Sequence, residues 1–128
     1  MESRKLQAAQ KKRSGQCNCA QAVICTYCDK AGIDEQTAMN IGNSFAIGMG
    51  NMEGTCGSLI GAGVVLGLFN KDGAKSVKDM RQIMTKFEER NKTTQCKVLK
   101  GVETKKVLRE CADCVADSCE FLEEIIKG

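Results

Sequence analysis

Gly54-Thr55-Cys56-Gly57-Ser58-Leu59-Ile60-Gly61-Ala62-Gly63-Val64-Val65-Leu66-Gly67-Leu68-Phe69 decides the fold class, because no charged residue lies between Glu53 and Lys71. The run is too short and too rich in glycine for a membrane span. A strand over Leu59–Leu68 is the rival assignment, but a buried helix capped near Thr55 is the better reading. Gly57 and Gly61 stand four apart, as do Gly63 and Gly67. That spacing puts each pair on one helix face and lets another backbone come close. Each interior glycine costs a helix up to ~1 kcal/mol. Something must press on that face in compensation, either a neighbouring helix or a cofactor.

Helical signals surround this run. A polar stretch over residues 3–13 predicts a short first helix, and Ser14-Gly15-Gln16 breaks it. A second helix is expected from about Asn18 to Ala31, closed by Gly32. Asp34 is an N-cap for the next, with Ala38, Met39, Ile41, Phe45 and Ala46 on its apolar side. Gly48 to Gly54 reads as a loop. Val77, Met80, Met84 and Phe87 have amphipathic helical spacing. Cys96, Val98 and Leu99 lead to Gly101. The last helix is expected from Glu103 to Lys127. Its apolar stripes are Leu108, Cys111, Val115, Cys119, Leu122 and Ile126, beside Val107, Cys114, Phe121 and Ile125. The expected fold is all-α, a compact bundle of five or six helices around a Gly-rich central helix. A chain of 128 residues suits one domain, 1–128, with 1–15 as a peripheral leading segment.

Composition removes several function classes. The chain has no His, so Ser-His-Asp and Cys-His catalysis, His-ligated metal and a haem held by its own His are excluded. Net charge is only +3, and the basic residues of 71–100 alternate with acids on what reads as a solvated helix face. Nucleic-acid binding and membrane insertion are not expected. Aromatic residues are 4%, so aliphatic side chains, Met, Ala and Cys must build the core. Met1-Glu2-Ser3-Arg4-Lys5-Leu6-Gln7 precedes no apolar run, which is unlike a signal peptide and predicts a cytoplasmic chain.

Sulfur is the unusual chemistry, with 9 Cys. In a reducing compartment dense cysteine favours metal binding or catalysis over structural disulfides. Cys25-x-x-Cys28 falls late in its expected helix and Cys111-x-x-Cys114 falls mid-helix. Neither position offers the free N–H groups that lower a thiol pKa. Cys56 does, because it follows a glycine-rich loop and opens a helix. Packing alone explains Cys119 and suits Cys114, while Cys17 reads as an exposed thiol beside a turn. Four thiolates could equally hold zinc or an iron–sulfur cluster.

Cys19-Ala20-Gln21-Ala22-Val23, Gly48-Met49-Gly50, Gly54-Thr55-Cys56-Gly57-Ser58, Gly61-Ala62 and Val65-Leu66-Gly67-Leu68, followed by Cys96 and Cys111, resemble the C_GCAxxG_C_C family. The resemblance spans residues 13–115. It implies a redox-active or metal-binding protein of bacteria or archaea. Split-Soret cytochromes contain a similar domain, but this chain has no CxxCH and no haem is expected. The family's four cysteines match Cys19, Cys56, Cys96 and Cys111, which become the candidate catalytic or metal-ligating set. Gly54, Gly57 and Gly61 become candidates for close approach of a cofactor. Cys17, Cys25, Cys28, Cys114 and Cys119 are extras, as resolving thiols or as packing. The leading expectation is an iron–sulfur or zinc site engaged in electron transfer with an unidentified redox partner. A thiol–disulfide oxidoreductase and a non-catalytic helical oligomer module, plausibly a homodimer, are the alternatives.

Overall fold

The computed structural model describes residues 2–127, in which short turns and loops separate the helices. They are α1 (Lys5–Arg13), α2 (Cys19–Thr26), α3 (Cys28–Ala31), α4 (Glu35–Gly42), α5 (Gly57–Asn70), α6 (Gly73–Asn91), α7 (Cys96–Leu99) and α8 (Cys111–Ile126). Asn18 caps α2, its side chain accepting from the Gln21 N–H at 2.8 Å while Gln21 Oε1 accepts from the Asn18 N–H at 3.0 Å. The same two side chains reach α4 and its end: Asn18 Nδ2 donates to the Gly42 carbonyl and Gln21 Nε2 to that of Met39. Asp34 accepts from the Thr37 N–H at 2.7 Å and Asp72 from the Lys75 N–H at 3.1 Å, fixing the starts of α4 and α6. Gly32, at φ 74°, ends α3 in the left-handed conformation that glycine tolerates best.

The all-helical bundle forms, but two features differ from expectation. Among the described residues there are eight α-helices, six of them seven residues or longer, rather than five or six in all. The stretch expected as one helix over 18–31 bends at Tyr27 (φ −113°, ψ 22°), which separates α2 from α3. Nor is the bundle wound around a glycine-rich axis. The shared core is Val23, Tyr27, Leu59, Leu66, Phe87 and Leu122, drawn from α2, the bend after it, α5, α6 and α8. One side of α5 stays at the surface: Gly67 has nothing within 4 Å of the place where a Cβ would stand, and Phe69 is 39% exposed.

The last helix starts at Cys111, not Glu103, and Val107 and Leu108 are exposed. Two tertiary contacts stop the chain from coiling earlier. The Leu99 carbonyl takes the Leu108 N–H at 2.9 Å and the Arg109 N–H at 3.3 Å. Arg109 then reaches over the helix start, donating from Nε and Nη2 to Asp117, each at 3.0 Å. Asp117 is 3% exposed and also accepts from Arg90 and Asn91, so the buried carboxylate is fully paired. On α6 the buried face is Ile83 and Phe87, while Val77 faces solvent. The segment read alternatively as a strand lies within α5, and the β-pairing among the described residues is one isolated bridge, Thr55 to Gln95. No helix among the described residues is long and apolar enough to cross a membrane.

Glycine demand is concentrated where α5 meets α2. A Cβ at Gly61 would stand 2.8 Å from the Ala20 carbonyl oxygen, and one at Gly57 2.8 Å from that of Phe45. Backbone cannot swing aside as a flexible side chain can. Gly61→Ala is therefore expected to destabilise the fold, because overpacking costs ~1–3 kcal/mol and outweighs a propensity gain of up to ~1 kcal/mol. Gly67→Ala has the propensity gain alone and should stabilise by roughly 0.5–1 kcal/mol. Urea unfolding of the two variants checks the contrast, which fails if both shift in one direction.

Candidate functional site

Each of the four family-pattern cysteines stands at the start of a different helix. Cys19, Cys96 and Cys111 are the first residues of α2, α7 and α8, and Cys56 is the N-cap of α5. The first turn of a helix carries N–H groups without helical partners, so sulfur placed there sits in a field that favours the thiolate. For Cys111 this replaces the expected mid-helix position. The cause is the Leu99 and Arg109 contacts that delay α8.

Backbone pairing brings the helix starts together. The Cys56 N–H donates to the Thr94 carbonyl at 2.8 Å and the Cys96 N–H to that of Gly54 at 3.0 Å, on either side of the Thr55–Gln95 bridge. The loop before Cys56 curls tightly, with Ile47, Gly48, Met49, Gly50 and Met52 all at positive φ. At Gly48 the curl brings the backbone so close to α7 that a Cβ there would stand 2.4 Å from the Cys96 Cβ. Left-handed backbone is unusual for the β-branched Ile47, which lines the site. Close contact between α5 and α2 sets Cys56 beside Cys19.

The result is a cavity of about 50 Å³ lined by Cys19, Cys56, Cys96, Cys111 and Cys114. Lys12, Lys100 and Arg109 also line it. The sulfurs of this cavity act on one another's ionisation in the order Cys111, Cys19, Cys56, Cys114. Cys56 continues inward to Ser58 Oγ at 3.1 Å, and Ser58 to Ser118 Oγ at 2.8 Å, both serines being fully buried. The shifts alternate along that order. The hydrogen bond from Cys19 draws the Cys111 pKa down to about 6, against burial and with help from Lys100 and Lys12. Hydrogen bonds from Cys114 and Cys19 hold Cys56 well below the ordinary thiol range despite its burial, with Ser58 assisting. Cys19 is pushed up by its bonds to Cys111 and Cys56 and by burial. Its bond to Cys56, then burial, likewise raises Cys114. Burial raises Cys96. Although burial opposes the Lys100 ammonium, the neighbouring Cys111 and Cys96 sulfurs keep its pKa above the ordinary value.

The sequence reading missed four members of this site. Cys114 was expected as packing, and its i, i+3 spacing from Cys111 was the available signal. Lys12, Lys100 and Arg109 arrive from α1, from the end of α7 and from the loop before α8, and no local pattern marks them. The remaining thiols lie elsewhere. Cys17, expected at the surface, is buried, with its Sγ 3.9 Å from Met39 Sδ. Burial pushes Cys25 up to about 12. Cys119 is fully buried beside Tyr27 and is pushed up to about 12, chiefly by burial. Cys28 is half-buried at the start of α3.

The expected iron–sulfur or zinc site is corrected. Among the described residues, no three His, Cys, Asp or Glu side chains are grouped so as to hold a metal ion. A ligand set needs deprotonated thiolates that converge on one point. The candidate cofactor glycines are filled by protein: Gly57 and Gly61 press on the Phe45 and Ala20 carbonyls, and Gly54 on the Met49 side chain. All nine cysteines are free thiols.

Comparison with known proteins agrees with a redox role for such thiols. The model of one family, described as "Putative redox-active protein (C_GCAxxG_C_C)", matches residues 17–125. No curated protein and no solved structure matches the chain.

Since the thiolate is the nucleophile, a lowered pKa moves the onset of alkylation to the acid side. Iodoacetamide labelling of Cys111, read by peptide mass spectrometry, should rise with pH about a midpoint of about 6. Lys100→Met removes a stabilising cation and should move that midpoint upward. An alkaline midpoint in the parent protein would contradict the hydrogen-bonded thiolate.

Proposed function

The chain belongs to the C_GCAxxG_C_C family, and we propose that it works as a thiol–disulfide oxidoreductase with Cys111 as nucleophile and Cys19 as its resolving partner. One observation carries this reading: a half-buried Cys111 at a helix start, sharing one small cavity with Cys19 and Lys100. Cys111 also borders a groove lined by Lys12, Arg13, Glu110 and Asp113, from which a substrate disulfide can approach. The Cys111 thiolate attacks one substrate sulfur. The substrate S–S bond breaks, and the first thiolate leaves with the electron pair and takes a proton. Cys19 then gives up its proton and attacks the Cys111 sulfur. A Cys19–Cys111 bond forms, and the second substrate thiol departs with that proton. The substrate gains two electrons and the protein loses two. Two incoming low-molecular-weight thiols return them through a second pair of exchanges and leave joined as a disulfide.

A lowered pKa alone speeds the attack little. At neutral pH it raises the thiolate fraction roughly 30-fold, while the weaker nucleophile gives back roughly tenfold. Its larger benefit falls in the return step, where Cys111 is the better leaving thiolate. The whole chain would act as one unit, since Lys12 of α1 and Cys111 of α8 meet at this site. A cytoplasmic setting would keep the thiols reduced between turnovers.

The test is a trapping experiment with glutathione disulfide. Cys19→Ser should retain a mixed disulfide on Cys111, whereas the parent protein should release both glutathione thiols and form a Cys19–Cys111 bond. Cys111→Ser should do neither. If Cys111→Ser exchanges at the parent rate, Cys111 is not the nucleophile.

A further inference from the structure

The exchange cycle gives no task to the buried thiols Cys56, Cys96 and Cys114, and asks of the ammonium groups beside them only that they favour the Cys111 thiolate. Lys12 and Lys100 line the chamber, and neither is paired with a carboxylate among the described residues. Arg109 is held by Asp117, and no Asp or Glu lines the chamber. Lys100 lines the same small cavity as Cys111, so one cation stands beside the nucleophile. Such an arrangement attracts a compact anion.

Size restricts the anion further. A water-sized group takes roughly 10–15 Å³ of such space. A chamber of about 50 Å³ therefore admits only a few atoms. An organic disulfide, with substituents on both sulfurs, has to lie in the outer groove. A small sulfur anion can pass beyond Cys111.

We propose that this chamber takes a small anion bearing a sulfane sulfur, and that Cys111 accepts that sulfur as a persulfide. This activity shares with the exchange reading only the use of Cys111 as nucleophile. With thiosulfate, the Cys111 thiolate attacks the terminal sulfur. The donor S–S bond breaks, sulfite leaves with the electron pair, and a new S–S bond forms on Cys111. With an inorganic polysulfide the shortened polysulfide anion leaves in the same way. No external oxidant or reductant enters either balance. The terminal sulfur of the product carries the negative charge, which Lys12 and Lys100 face, and the burial of the chamber limits its loss to bulk thiols.

Reduced full-length protein is incubated with thiosulfate and, in parallel, with inorganic polysulfide. Cyanide treatment then counts transferable sulfur as thiocyanate, and peptide mass spectrometry locates it. One added sulfur on Cys111, absent from Cys111→Ser, is expected from at least one donor. Sulfur from thiosulfate identifies a sulfonate donor, and sulfur from polysulfide alone identifies a polysulfide. Lys100→Met, titrated at a pH above the Cys111 midpoint of both proteins so that the thiolate is fully formed in each, should raise the donor concentration for half-labelling about tenfold through loss of one close charge pair. No sulfur from either donor, or equal labelling of exposed thiols in parent and Cys111→Ser, would overturn the proposal. So would a Lys100→Met titration identical to the parent's. Persulfide formation without a trapped mixed disulfide would remove the exchange reading alone, and the converse would remove this one alone.

Discussion

The near-contact of two backbones, α2 against α5, is the constraint on which the site depends. It exists because Gly57 and Gly61 offer no side chains where the Ala20 backbone nitrogen and carbonyl oxygen stand. Cys19 precedes Ala20 and Cys56 precedes Gly57, so the spacing of the two helices is also the spacing of two thiols. The bridge between Thr55 and Gln95 then sets Cys96 beside them, and the Leu99 carbonyl delays α8 until Cys111. Packing, backbone pairing and helix starts thus act on the same few positions.

Histidine usually supplies the proton partner of a reactive thiol. This chain has none and uses other thiols instead. Cys19 and Cys114 are pushed above the ordinary thiol range while Cys111 and Cys56 are held below it, each by its sulfur neighbours. Ser58 and Ser118 extend that support into the core, where no solvent competes for the hydrogen bonds. Arg109 contributes at one remove, since the Asp117 carboxylate fixes its position over the start of α8.

Local chemistry was legible in the sequence wherever it was sufficient. Gly32 and Asp34 act at helix boundaries through their own backbone or side chains, and the special position of Cys56 followed from the glycine-rich loop before it. The start of α8 was hidden because Val107 and Leu108 continue an apolar period that tertiary contacts override. The bend at Tyr27 was hidden for a similar reason: its ring is fully buried and its hydroxyl donates to Glu123, far along the chain. Lys12 and Lys100 lie on separate elements, so only the assembled fold shows that they share a cavity. The metal expectation failed on orientation, which cysteine spacing does not encode.

The wide dispersal of the site along the chain has a consequence for biosynthesis. Cys19 and Cys56 leave the ribosome well before Cys111, the residue that gives the first of them its hydrogen-bonding partner. Long-range contacts of this kind form late in folding, after the loops between them have closed. A growing chain therefore carries sulfurs that have ordinary solution chemistry and no shared chamber. The special reactivity is switched on by completion of the fold, which spares the nascent polypeptide from its own active thiols.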